Sequence, residues 1–293
     1  MNIKPNAIII GTGKIGIDLY IKCKKSLIFN KIYIFNRNKN SQGATYCQKK
    51  KFLYSADGIN GIVKIIDESE YIFDATSAKS NIQIVKILKN KILNKFFINL
   101  TPSKNGEYVV PYTHKKKIPF MINLITCGGQ TSIPIINEFK KILGKNLKYV
   151  ELVSSISSKS AGQATRDNIN EYITTTESAI KKLTKTKNVK VIININPSEP
   201  PVNMMNSLFF ETKKKMTNTE YAKMKKSINY INKKIQNYIP DYNAKIFKTF
   251  ENNIVRVTIR VVGQGDYLPR YAGNLDIITS SAVYLSKMIY EKK

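Results

Sequence analysis

The stretch "NLITCGGQTSIPII", residues 123–136, sets a cysteine between a short apolar run and two glycines. A thiol there can act as a nucleophile once it has lost its proton. The chain has a single histidine, His114, in the unrelated stretch "YTHKKKIP", so serine–histidine and cysteine–histidine hydrolase chemistry finds little support. A different activating group is in reach. "QTSIPIINEFKKILG" puts Ile135, Ile136, Phe139, Ile142 and Leu143 at helical spacing, with Pro134 early and Gly144 as a stop. This predicts a helix with Cys127 at its N-terminus, where the backbone dipole and free N–H groups stabilise a thiolate without a histidine. The same N–H groups are candidate donors to an oxyanion. Gly128 and Gly129 are expected to let the backbone curl around a substrate. The competing reading makes Cys127 a small buried hydrophobe.

A second constellation is "IIIGTGKIG", in which Gly11, Gly13 and Gly16 follow an apolar strand and open a helix. The first glycine permits a tight turn, the second lets a pyrophosphate approach, and the third packs helix on strand. The pattern predicts dinucleotide binding. The second strand ends in "FNRN", where a carboxylate usually takes the ribose hydroxyls. Asn36 or Asn38 can hydrogen-bond a ribose instead. Arg37 either pairs with a 2′-phosphate, which would favour NADP, or faces solvent. NAD is the expected cofactor, and NADP stays open.

Elements must position these groups. "NAIII" (6–10), "KIYIFN" (31–36), "YIFDATS" (71–77), "KFFINLTP" (95–102) and "IPFMINLIT" (118–126) read as strands between helical stretches. Such alternation implies βαβ units and a parallel sheet. The last of them is expected to run straight into Cys127. Beyond it, "KYVELVSSISSKS" reads as a strand entering a polar loop, followed by a helix over about 167–184. "NVKVIININP" and "NSLFFET" read as strands flanking "SEPP". Thr217 and Glu220 have capping-box spacing ahead of a helix with Tyr221, Met224, Ile228, Ile231 and Ile235 on one face. "KIFKTFENNIVRVTIRVVG" reads as a hairpin turning at residues 251–253, and a final helix starts near Asn274. Hairpins covered by helices suggest a mixed or antiparallel sheet.

Composition excludes some functions. The 293 residues suffice for two ordinary domains, and 42% are hydrophobic, as in a globular protein. No apolar run reaches membrane-spanning length, and no signal segment is evident, so a soluble cytoplasmic protein is expected. The net charge of +28 would point to nucleic acid. Only five of the basic residues are arginine, however, and lysine, isoleucine and asparagine are abundant together. A genomic base-composition bias explains this better than a nucleic-acid role. Cys23, Cys47 and Cys127 have no metal-ligand or disulfide spacing, so reduced thiols and no metal are expected. Cys23 and Cys47 fall on predicted helices, as packing residues.

The segments "IIIGTGKIGIDLYIK", "FDATSA", "LTP", "TCGGQTSIP", "SSISSKSAG", "TRDNINEYITTT", "NPSEPP" and "YLPRYAGNLDIITSSA" span nearly the whole chain. In that order they resemble the acylating acetaldehyde dehydrogenases that partner 4-hydroxy-2-oxovalerate aldolase in aromatic hydrocarbon catabolism. The resemblance implies an α/β fold: an N-terminal Rossmann domain plus an α+β catalytic and dimerisation domain, as in glyceraldehyde-3-phosphate dehydrogenase. It implies an NAD-binding domain over 1–126, a catalytic and dimerisation domain over 127–272, and a C-terminal helix over 273–293 returning to the first. Cys127 then matches the nucleophile that carries the acyl group as a thioester. Thr12, Lys14 and Ile15, with the three glycines, match the NAD-binding turn. Ser160, Ala161, Gly162, Gln163, Ala164, Thr165, Arg166, Asp167 and Asn168 match a second cofactor loop, and Asn274 matches a contact near the nicotinamide. Acetaldehyde and coenzyme A are the implied substrates, a homodimer the implied assembly, and the aldolase a further implied partner.

Three departures stand out. Gln163-Ala164 replaces the family's Pro-Gly. Asn206 stands where ungapped alignment puts a family aspartate proposed to move a proton, and an amide cannot be a base. The "FENNIVRV" hairpin is shorter than the family's. These keep open a catalytically degenerate relative that binds nucleotide or supports a partner. A fold relative acting on an acyl phosphate or semialdehyde is a third reading. Elsewhere, Asp74 is expected as a strand-end or turn residue, Asp276 as an ordering or capping residue, and Arg166 as a phosphate partner or a helix cap.

Overall fold

The computed structural model describes residues 3–113, 117–248 and 253–292. His114 and most of the expected turn at 251–253 lie outside these residues. Two compact units divide the chain: Met1–Leu124 with Asp266–Leu268 and Ile278–Lys293, and Ile125–Gly265 with Pro269–Ile277.

The first unit follows the expected alternation: β1 (Ala7–Ile10), α1 (Lys14–Ser26), β2 (Ile32–Phe35), α2 (Gln42–Lys49), β3 (Leu53–Ser55), α3 (Gly58–Ile65), β4 (Tyr71–Asp74), α4 (Ala78–Leu88), β5 (Phe96–Asn99), β6 (Glu107–Tyr108) and β7 (Met121–Asn123). The strands form one sheet in the order β3-β2-β1-β4-β5-β7-β6, with every pairing parallel. Every residue of β1, β4 and β5 is buried: strands covered on both faces read as apolar runs, here closed at the strand ends by the buried polar Asp74 and Asn99. Strand order reverses between β1 and β4, which puts the glycine turn after β1 at the topological switch point.

The second unit opens with α5 (Cys127–Leu143). Then come β8 (Leu147–Ser157), α6 (Gln163–Asp167), α7 (Ile169–Thr184), β9 (Val189–Asn196), β10 (Met204–Thr212), α8 (Asn218–Ile235), β11 (Tyr242–Lys248) and β12 (Ile254–Val261). Its sheet runs β11-β12-β10-β8-β9 and is mixed: β8 pairs β9 in parallel, and the other pairings are antiparallel. β9 and β10 flank "SEPP" without pairing, since both lie against β8. Helix α5 packs on β8 and β10, between α7 and α8. The capping box of α8 is formed: Thr217 Oγ1 accepts from Glu220 N at 3.1 Å, and Glu220 Oε2 accepts from Thr217 N at 2.8 Å.

The last helix, α9 (Gly273–Tyr290), belongs to the first unit from Ile278 onward. There Thr279 Oγ1 donates to Asp18 Oδ2 at 2.6 Å. Lys22 on α1 bridges Asp18 at 2.8 Å and Asp266 at 3.0 Å, and Lys25 also pairs with Asp266. No helix among the described residues is long and apolar enough to cross a membrane.

Near Cys127 the helix starts where its spacing predicts, at Cys127 itself, while the end of the strand and the early place of Pro134 need correction. Strand β7 ends at Asn123, so the chain does not run as a strand to Thr126, and Ile125 takes φ +65° as it turns. Helix α5 then begins at Cys127 itself, with Pro134 in its interior. The reason is local: Thr126 Oγ1 accepts from Gly129 N at 3.1 Å and caps the helix there.

Candidate active site

In the second unit Cys127 is the first helical residue of α5, and it is buried. Its thiol donates to Tyr172 Oη at 3.7 Å, and that hydroxyl donates to Ser154 Oγ at 3.1 Å. Helix α7 supplies Tyr172 and β8 supplies Ser154. The cap is tied to the same helix, for Thr126 Oγ1 lies 2.7 Å from Thr176 Oγ1, which donates to the Tyr172 carbonyl at 2.6 Å.

The glycines after Cys127 have a different use from the one expected. A Cβ at residue 128 would stand 2.3 Å from Tyr172 Oη and 2.9 Å from Ser154 Oγ. Only glycine lets that hydroxyl pair reach the start of the helix. A Cβ at residue 129 would meet Ile125 Cγ2 at 2.7 Å, so this glycine serves the turn into the cap. Nor is the Gly129 N–H open to an oxyanion, because it donates to Thr126.

Electrostatics also correct the expectation of a thiolate made by the helix alone. Burial pushes the Cys127 thiol up to about 11, outweighing the hydrogen bonds from Tyr172 and from the Gly128 and Cys127 N–H groups that pull it down. At neutral pH the sulfur therefore rests as a thiol. Burial likewise holds the Tyr172 phenol well above its ordinary value, and the nearby sulfur adds to this.

Asn206 is fully buried on β10, directly across from Ser154. Its Nδ2 donates to Thr131 Oγ1 at 2.5 Å, while its Oδ1 is buried with no hydrogen-bond partner among the described residues. Thr131 Oγ1 in turn donates to the carbonyls of Cys127 and Gly128, at 3.0 and 2.9 Å, and the Thr131 carbonyl accepts from Tyr242 Oη at 2.8 Å. Asn206 therefore reaches the first turn of α5 through Thr131. Sequence reasoning missed Tyr172, Ser154 and Thr131, whose hydroxyls surround this turn.

The loop at 160–168 is held by its own bonds. Ser160 Oγ donates to the Ser157 carbonyl at 2.8 Å, Ala161 is buried, and Gln163–Asp167 form the short α6 after Gly162. Thr165 N donates to the Gly162 carbonyl at 3.0 Å, and Asn168 leads into α7, its carbonyl accepting from Tyr172 N at 2.9 Å. Arg166 donates to the Ala161 carbonyl at 3.2 Å and to the Ser158 carbonyl and hydroxyl at 3.3 and 3.2 Å. These bonds hold Arg166 to its own loop and make no helix cap. Asn274, at the start of α9, is buried, and its Oδ1 has no hydrogen-bond partner among the described residues. Asp276 orders the preceding loop by accepting from Gln264 N at 3.0 Å.

In the first unit, Gly11 has φ +109°, and a Cβ there would stand 2.8 Å from the Ala75 carbonyl oxygen. A Cβ on Gly16 would fall 1.9 Å from the Gly11 oxygen, whereas the space over Gly13 is open. Gly13 is the N-cap of α1 and offers no side chain, so Lys14 and Ile15 open that helix with backbone N–H groups toward the turn. These residues fit a dinucleotide pyrophosphate. A cleft of about 270 Å³ adjoins the turn, lined among others by Gly11, Asn36, Arg37, Gly58 and Thr76. Asp74 is the expected strand-end residue, accepting from Thr76 N at 3.0 Å and from Asn81 Nδ2 at 2.8 Å. Cys23 and Cys47 are buried on α1 and α2, with free thiols.

Comparison with known proteins separates fold from family. The family described as prokaryotic acetaldehyde dehydrogenase, dimerisation, matches residues 127–269. An acetaldehyde dehydrogenase of Pectobacterium atrosepticum is 36% identical over 99% of this chain and 97% of its own length. One from Geobacillus stearothermophilus gives the same figures, and one from Burkholderia pseudomallei is 37% identical over 94% and 91%. Among solved structures, aspartate semialdehyde dehydrogenase II of Vibrio cholerae in complex with ASA has a TM-score of 0.66, covering 98% of this chain and 99% of its own, at 8% identity. A probable aspartate-semialdehyde dehydrogenase of Pseudomonas aeruginosa has a TM-score of 0.65, covering 98% of both chains, at 7% identity. At such identities the structural likeness carries the fold alone. With more than a third of its residues identical over nearly the whole of both chains, this protein belongs to the acetaldehyde dehydrogenase family.

Proposed function

We propose that this chain is a coenzyme A-acylating aldehyde dehydrogenase, converting acetaldehyde or another short aldehyde, with coenzyme A and NAD, to acetyl-CoA and NADH through a thioester on Cys127. The observation that carries this reading is the buried thiol at the first turn of α5, with Tyr172 and Ser154 set against it, in a chain of this family. Cys127, once deprotonated, adds to the aldehyde carbonyl and forms a thiohemiacetal. Tyr172 can turn its hydrogen from Ser154 to the sulfur, and with the Cys127 and Gly128 N–H groups it holds the thiolate. The thiohemiacetal carbon then gives up a hydride, and its hydroxyl a proton that leaves to solvent, so that the thioester remains. Burial of Cys127 keeps water from hydrolysing that thioester before the coenzyme A thiol attacks it and frees the sulfur.

A bound nicotinamide dinucleotide supplies the hydride acceptor. Gly11, Thr12, Gly13, Lys14, Ile15 and Gly16 would hold its pyrophosphate, and the unpartnered Asn274 Oδ1 would accept from its carboxamide. The loop from Ser160 to Asn168 would line the cofactor with backbone, Arg166 being engaged within the loop. On this reading residues 1–126 bind the nucleotide, 127–272 carry catalysis and dimerisation, and 273–293 return to the first domain. A cytoplasmic homodimer working beside an aldolase fits the same reading.

The test is formation of reduced nucleotide and acetyl-CoA from acetaldehyde, with and without coenzyme A. Coenzyme A-dependent turnover that Cys127→Ser abolishes is expected, and full activity of that variant would remove the thioester. A second reading rests on Asn206. Its buried amide has no proton-accepting base in it, and its Oδ1 is unmatched, as expected of a relative that binds nucleotide without efficient turnover. Nucleotide binding with no acetyl-CoA formed would favour it.

A further inference from the structure

Asn36 ends β2, where a carboxylate would take the two ribose hydroxyls of NAD. Its amide is fully engaged within the protein. The two N–H groups are shared among Thr12 Oγ1 at 2.7 Å, the Asn38 carbonyl at 2.9 Å and Ser41 Oγ at 2.9 Å. Its Oδ1 accepts from Asn38 N and from Tyr54 Oη, both at 3.1 Å. An amide oxygen has two lone pairs, and both are in use. Asn36 thus braces the glycine turn against α2 and leaves no acceptor for a ribose diol.

The next residue differs in every respect. Arg37 is exposed and lines the cleft beside the glycine turn, with Gly11, Gly58, Thr76 and Ser80. No carboxylate lines that cleft, and among the described residues none forms an ion pair with Arg37. An NAD site rejects a 2′-phosphate by setting an acidic group against it. Here that repulsion is missing and a guanidinium stands in its place, suited to a phosphate dianion by its fork of donors.

We infer that the adenosine end of this cleft takes a 2′-phosphorylated ribose on Arg37, so that the chain prefers NADP(H) to NAD(H). The inference rests on the dinucleotide reading of the glycine turn and replaces its choice of cofactor.

Titration of the full chain with NADPH and with NADH, followed by nucleotide fluorescence at low and high salt, tests it. NADPH is expected to bind about tenfold or more tighter, the value of a charge-assisted hydrogen-bond pair, with the gap narrowing as salt rises. Arg37→Gln is expected to close most of the gap by weakening NADPH, and the same variant's NADH affinity reports whether the cleft is intact. Equal affinities, or tighter NADH, would overturn the inference while leaving the dinucleotide site standing. A preference that survives Arg37→Gln would overturn the assignment to this residue. Binding of neither nucleotide would overturn the dinucleotide reading itself, and this inference with it.

Discussion

The hydroxyl of Tyr172 lies 3.7 Å from the sulfur of Cys127, in space that a side chain on residue 128 would fill. The two groups come from different helices; the hydroxyl makes the thiol easier to ionise, while the sulfur makes the phenol harder to ionise. One hydrogen serves both, aimed at Ser154 while the sulfur is a thiol and at the sulfur once it is a thiolate.

Tyr172→Phe removes that hydrogen and little volume. Cys127 sits at about 11 with the hydroxyl present, so its titration should move to still higher pH without it. Below that pH the thiolate fraction, and with it the rate of iodoacetamide alkylation, should fall about two- to tenfold. An alkylation profile over roughly pH 7 to 10 that coincides with wild type would assign Tyr172 to packing.

Gly128→Ala places a methyl group against two hydroxyl oxygens, at 2.3 and 2.9 Å. Tyr172 or α5 has to shift, at a cost of about 1–3 kcal/mol. Urea unfolding should show a lower midpoint, and alkylation of Cys127 should lose its dependence on Tyr172. A variant as stable as wild type would mean that the helix start gives way freely.

Asn206→Asp puts a carboxylate opposite Ser154, within reach of Thr131 Oγ1. Thr131 would have to turn its hydrogen from the carbonyls of Cys127 and Gly128 toward the new charge. Stability is expected to drop by about 1–3 kcal/mol, while kcat for acetyl-CoA formation rises about tenfold or more as a base returns. An unchanged kcat would show that the amide position does not limit turnover.

Asp266→Asn tests the charge cluster on α1. Burial would raise the Asp266 carboxyl, but hydrogen bonds from Lys25 and Lys22, together with their charges, outweigh it and hold the group below its usual 3.8. A depressed carboxyl contributes stability above its unfolded value and loses it as pH falls through the folded one. The variant should melt lower than wild type at pH 7, and the two melting temperatures should converge as pH falls through the depressed folded value, below 3.8. Parallel curves over that range would show that the cluster contributes nothing through charge.

Local patterns were legible where one segment decides its own structure. Gly11 and Gly16 announced the turn because each has a backbone neighbour that excludes a side chain, and Thr217 with Glu220 announced a cap because both halves of it lie within one helical turn. The thiol at the start of α5 was legible too. Its environment was not, since Tyr172 lies 45 residues away in sequence and reaches Cys127 through the packing of α7 on α5. For the same reason Gly128 read as an opening for substrate when it accommodates a phenol. Helix position suggested a thiolate, and burial, which no short pattern reveals, reversed the sign. Asn36 looked like a ribose ligand until its five bonds were seen.

The first unit draws on both ends of the chain: Asp18 and Lys22 on α1 find partners in Asp266 and Thr279. During synthesis these partners arrive after the whole of the second unit. At about 5–20 residues per second, the stretch between Leu124 and Ile278 takes roughly eight to thirty seconds to translate. For that time the nascent sheet waits on the ribosome with a carboxylate and an ammonium whose closing helix has not yet been made.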